Sequence, residues 1–175
     1  MNAPQQDTAQ RSSVERPIPA SFSIGDELSA AERCEKFVAF FLGTSIFWIP
    51  SSTVLEVVQP LPVAELPNAP SSILGIAAFK GDVVAIVNIK KVLGLEESTA
   101  NGKAKLIILR ANAKETQIAI PVDSMHEMIA VLPEAITSDP NASSGGLTRL
   151  VEYEDSVFKI IAPGVLIKEL EQSIA

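Results

Sequence analysis

A chain of 175 residues with 47% hydrophobic residues and mean hydropathy +0.27 can build one domain, or two small ones packed as one, around a substantial aliphatic core. A formal charge of −7 and a pI near 4.8 exclude nucleic acid and anionic lipid as partners, since phosphate binding needs clustered Lys and Arg and the longest basic cluster is Lys90-Lys91. The lone Cys34 excludes an internal disulfide framework, no apolar run reaches the roughly 20 residues of a spanning helix, and the polar start Met1–Asp7 lacks a secretory-signal pattern, so a cytoplasmic location is expected.

In chain order, residues 1–35 read as a tail. The first 19 are polar, carry Pro4, Pro17 and Pro19, and read as disordered. Over Ser23–Glu35 the near-helical spacing of Ile24, Leu28 and Ala31 admits a short amphipathic helix, with more tail as the rival reading. The ordered body is expected over 36–172. Phe37–Leu42 and Ile46–Ile49 flank a Gly43 turn as a hairpin. Thr53-Val54-Leu55-Glu56 matches a capping box and predicts a short helical turn that relaxes into strand at Val57-Val58. Pro60, Pro62, Pro67 and Pro70 punctuate a loop. Ile73–Phe79 and Val83–Ile89 form a hairpin across Lys80-Gly81-Asp82, and Lys90–Leu95 reads as a short helix closed by Gly94. Glu96–Gly102 is a flexible joint. A second half, 103–172, then follows the first half, 36–102. It contains one polar loop, Ser138–Gly146, and a final short helix over Val165–Leu170.

The halves repeat one another. Leu106 opens an apolar run, a polar turn follows near Asn112–Glu115, then Ile118-Ala119-Ile120, Pro121 and a second capping box, Ser124-Met125-His126-Glu127. The offset is 127 − 56 = 71 at the glutamates and 121 − 50 = 71 at the prolines. Gly81–Val87 recurs as Asp155–Ile161 with 157 − 83 = 74. Short strands with frequent turns and stub helices describe small barrels or sandwiches, not a doubly wound sheet with long crossover helices.

No chemistry assembles from these residues. One histidine and one cysteine give no multi-ligand metal site, and no nucleophile elbow, P-loop or dinucleotide fingerprint is present. Glu96-Glu97 and Glu152-Glu154-Asp155 read as solvated loop positions, and His126 as a surface spacer where the first half has Leu55. No catalytic residue, cofactor or metal is expected.

Pro70–Ile89, with Ile73-Leu74-Gly75-Ile76-Ala77-Ala78-Phe79-Lys80-Gly81-Asp82 at its centre, resembles the signature of the CheW-like family, as do Phe37–Gly43 and Ile120–Met128. The likeness covers about Lys36 to Leu170. It implies an all-β domain of two tandem five-stranded SH3-like barrels on a shared core, with short helices only. It also implies a non-catalytic adaptor that couples chemoreceptor cytoplasmic tips to the regulatory domain of a CheA-type histidine kinase, in an array serving chemotaxis or pilus motility.

Carried over from the family, the partner-binding positions are Lys80 and Gly81 at the hairpin tip, Val54 and Glu56 in the first half, and Ile107 and Met128 in the second. Lys80 stands where the family has arginine, keeping the charge but losing the planar fork. Asn88 replaces a frequent aspartate. Val54, Ile107 and Met128 have a core reading beside the interface one, and Glu56 has a capping-box reading. The alternative function is a small-molecule-binding regulatory module using the cleft between the halves.

Overall fold

Runs of Val, Ile and aromatic residues favour extended backbone. In the computed structural model, which describes residues 32–97, 102–110, 116–140 and 147–174, they form eleven strands. These are β1 (Glu35–Leu42), β2 (Ser45–Pro50), β3 (Val54–Val58), β4 (Ile73–Phe79), β5 (Asp82–Val87), β6 (Lys105–Arg110), β7 (Gln117–Val122), β8 (Ser124–Val131), β9 (Ile136–Ser138), β10 (Leu147–Tyr153) and β11 (Ser156–Ile161). Helix α1 (Ile89–Val92) follows β5, and α2 (Pro163–Ile174) follows β11. The tail over 1–31, part of the joint at 98–101 and most of the Ser138–Gly146 loop lie outside the described residues.

Two expected helical turns take another form. Ser51–Thr53 make one 3-10 turn, held where the Thr53 hydroxyl donates to the Pro50 carbonyl at 2.7 Å, and Val54 onward is already strand. Ser124–Glu127 lies wholly within β8. Pairing with β6 and β1 gives these backbones ladder partners, which outcompetes a local cap. Helix α1 ends as expected, with Gly94 at φ +66, while α2 runs 12 residues, longer than the Val165–Leu170 stub.

The strands form two sheets, β8-β1-β2-β11-β10-β9 and β3-β6-β7-β5-β4. Beyond β8 the chain bends through a 3-10 turn, Pro133–Ala135, and β9 pairs with β10, so β8 and β9 act as one bent strand closing a five-stranded barrel. The other sheet closes in the same way. After β3 the chain returns at Ala64, which exchanges two backbone hydrogen bonds with Ile76 of β4, at 2.8 and 2.9 Å.

Neither barrel belongs to one sequence half. The β1–β2 hairpin sits between β8 and β11, and the β6–β7 hairpin between β3 and β5, so the halves exchange hairpins. The seams are the two parallel pairings, Phe47↔Lys159 with Trp48↔Ile160, and Ile118↔Ala85 with Ala119↔Ile86. They correspond residue for residue under the repeat.

Both faces of the exchanged hairpins are buried, so their strands read as nearly unbroken apolar runs. Val38, Phe40, Leu42, Ile107, Leu109, Ile118 and Ile120 point into a core shared by the barrels, joined by Leu166 and Ile167 of α2. The alternate residues fill the barrels: Phe37, Ala39 and Trp48 in one, Leu106, Ile108 and Ala119 in the other. A one-residue slip would interchange the two sets, which fixes register.

Gly75 permits the second closure. It sits at φ +145, and a Cβ there would lie 2.3 Å from the Ala64 carbonyl oxygen. Gly75→Ala should therefore cost about 3 kcal/mol in urea unfolding, from overpacking and backbone strain together. The exchange makes a second prediction. Fragments 1–100 and 101–175 should each lack dispersed NMR spectra alone and gain them on mixing, because each barrel needs strands from both. Cooperative melting of either fragment by itself would contradict the shared-core account.

Candidate functional site

The β4–β5 hairpin turns through Lys80 and Gly81 at φ +50 and +91, a two-residue primed turn that matches the strand twist. This geometry projects Lys80 from the barrel end. Its ammonium pairs with the Glu56 carboxylate on β3 and lies 5.3 Å from the centroid of the Phe79 ring. Glu56 thus serves no cap; its side chain crosses from β3 to the hairpin tip. Lys80 is 67% and Glu56 39% exposed, so both remain reachable from solvent while holding each other's orientation. On the strands that carry them, Val83, Leu55 and Val57 also expose apolar surface. An exposed charged pair with exposed aliphatic residues on the adjoining strands has the makings of a protein contact.

The other sequence-derived positions separate. Val54 is half-buried, opposite Leu109 and packed on the shared core. Ile107 is fully buried in that core, on a strand whose two faces are both covered, in keeping with the core reading that the sequence left beside the interface one. Met128 is 66% exposed, but it stands on β8 in the other barrel. Lys80, Gly81 and Glu56 therefore form one cluster, and Met128 marks a different surface.

Comparison with known proteins concerns the domain as a whole. The model of the CheW-like domain matches residues 36–171. The chain belongs to the CheW-like family. It is 25% identical over 131 residues to the chemotaxis protein CheW of Helicobacter pylori, covering 70% of this chain and 78% of that one. It is 24% identical over 147 residues to CheW of Bacillus subtilis, covering 79% and 91%. The scaffolding protein TtCheW of Thermoanaerobacter tengcongensis superposes with a TM-score of 0.68 at 22% identity, over 73% of this chain and 88% of that one, which establishes the shared two-barrel fold.

This CheW-like chain also holds a polar hub that its sequence hides. Asp123, between β7 and β8, accepts from the Gly43 N–H at 2.5 Å and pairs with Lys90 of α1 at 2.8 Å, both side chains nearly buried. Its own N–H donates to the Phe41 carbonyl at 3.0 Å. Asn88 caps α1 by accepting from the Lys91 N–H and donates to Glu97 at 2.8 Å. These groups line a cleft of about 160 Å³ between first-half and second-half residues. The first half has Ser52 where the second has Asp123, and that break in the repeat is the one sequence signal for the hub. Among the described residues no group of three or more His, Cys, Asp or Glu side chains is placed to hold a metal ion, and no helix is long and apolar enough to cross a membrane.

Burial decides what each ion pair does for folding. Asp123→Ala takes the carboxylate away from Lys90 and the Gly43 N–H and should cost about 3–5 kcal/mol in chemical denaturation. Lys80→Ala removes an exposed pair and should cost under about 1 kcal/mol in the same assay.

Proposed function

We propose that this chain is a non-catalytic scaffold that couples chemoreceptors to a CheA-type histidine kinase in a chemosensory array, with the Lys80–Glu56 tip as a contact for partners. The observation that carries this reading is the CheW-like match over residues 36–171, together with an exposed ion pair at a hairpin tip, a kind of pair that contributes little to folding in general. A pair held on a two-residue turn presents its groups with little orientational entropy left to lose on docking. Each contact can be weak, because repetition in an array raises effective concentration. Lysine at this tip offers a point charge, so the partner's acceptor meets it without the two-pronged geometry of arginine.

The regulatory-module alternative finds less support. The inter-half cleft is smaller than the roughly 300 Å³ at which ligand pockets begin, and its Lys90, Asp123, Asn88 and Glu97 groups already bond to one another.

Co-sedimentation with receptor cytoplasmic fragments and kinase tests the scaffold. The wild-type chain should join both, and failure to join either removes the reading. Lys80→Glu should weaken assembly about tenfold or more, as expected when like charges meet across a contact, with circular dichroism and melting unchanged. Glu56→Lys added to it restores the internal pair in reverse and separates loss of orientation from loss of the positive charge.

A further inference from the structure

The two barrels carry one tip with different charges. Glu154 and Asp155 turn the β10–β11 hairpin at φ +47 and +60, close to the geometry of Lys80-Gly81. The repeat relates the tips directly, since 154 − 80 = 74 and 127 − 56 = 71 are its own offsets. Where Lys80 neutralises Glu56 in the first barrel, Glu154 replaces the lysine beside Glu127 in the second. Both carboxylates line a cavity of about 60 Å³, and among the described residues neither is paired with a lysine or arginine. Glu127 has the His126 imidazole at 3.3 Å, a counter-charge only when that ring is protonated.

The walls of this cavity are aromatic. Trp48 stacks on Phe158 with centroids 5.0 Å apart and meets Tyr153 edge-on at 5.6 Å. Glu154 first, then burial and Glu127, hold the Tyr153 phenol above its ordinary pKa, as a site short of positive charge would. Trp48 is fully buried at the floor, and its indole N–H finds no acceptor among the described residues. Half-buried Tyr153 and Phe158 pack against the Trp48 ring and line the same cavity.

The missing pieces define an occupant. Two carboxylates and aromatic faces call for a cation, and the indole N–H calls for an acceptor. A simple amine supplies the first without the second. A polypeptide segment bearing a basic side chain supplies both, through its ammonium or guanidinium and its backbone carbonyls. The adjoining Val157, 60% exposed, gives such a segment apolar surface to cover.

We propose that the pocket formed by Trp48, Glu127, Tyr153, Glu154 and Phe158 is a docking site for a lysine or arginine side chain of a protein partner, which fills the place Lys80 fills in the first barrel. It stands whether or not the chain couples receptors to a kinase.

The test is an NMR titration of the full chain with a blocked valine-arginine-valine tripeptide, against butylammonium and a blocked valine-glutamate-valine control. The arginine peptide should shift the Trp48 indole, Glu127, Tyr153 and Glu154 signals saturably. Glu154→Lys rebuilds the first barrel's pair, so it should keep the fold and weaken the peptide about tenfold or more, a 1.4 kcal/mol change. The proposal is overturned if no saturable shift appears at these residues or if Glu154→Lys binds equally. It is overturned as well if butylammonium matches the peptide, which would make this a small-cation site.

Discussion

The parallel pairings of β2 with β11 and of β7 with β5 are the constraint on which the rest of the molecule depends. A hairpin left in its own half could close a barrel with local contacts alone. By crossing over, each hairpin turns one face into the foreign barrel and the other into the common core. The two barrels then share strands' worth of burial instead of touching through a thin interface, and their relative placement becomes part of folding itself. For a scaffold this matters more than raw stability, because what it offers partners is the fixed geometry between one tip and the other.

Duplication also frees the tips to diverge. The turn geometry at Lys80 and at Glu154 is nearly the same, so the backbone there answers to the hairpin, and the side chain is available for chemistry. The first barrel uses that position for a self-contained ion pair, while the second carries a local excess of negative charge on aromatic walls. A protein with equal tips could bind the same partner at both ends; tips that differ in charge can tell partners apart.

Much of this was legible in the chain. The repeat, the β1–β2 and β4–β5 hairpins and the α1 stop at Gly94 are written in turn residues and strand-length apolar runs, and the CheW-like signature includes the second of these hairpins. The hairpin exchange was not legible, because a period-2 pattern states which face of a strand is buried and not which strand lies beside it. Ile107 shows the consequence: on a strand covered from both sides, a core residue looks like any apolar residue available to a partner. The capping-box patterns misled for a related reason. Thr53–Glu56 and Ser124–Glu127 have the right side chains for a cap, but that pattern cannot weigh a local cap against ladder pairing with β6 and β1.

Asp123 and Lys90 were invisible as a pair, being 33 residues apart and joined only by the fold. Burying them is an odd choice on stability grounds, since well-packed aliphatics of similar volume often do as well or better. Their position suggests what the polar choice accomplishes. Asp123 holds the amide at the β1–β2 turn and the side chain of α1 at once, so it links the tip of one exchanged hairpin to the helix that follows β5 of the other barrel. Aliphatic contacts would tolerate a small slide of these elements past each other; a carboxylate bonded on two sides does not. The hub therefore acts on the same variable as the hairpin exchange, the angle and spacing between barrels, and supplies the directionality that hydrophobic burial lacks.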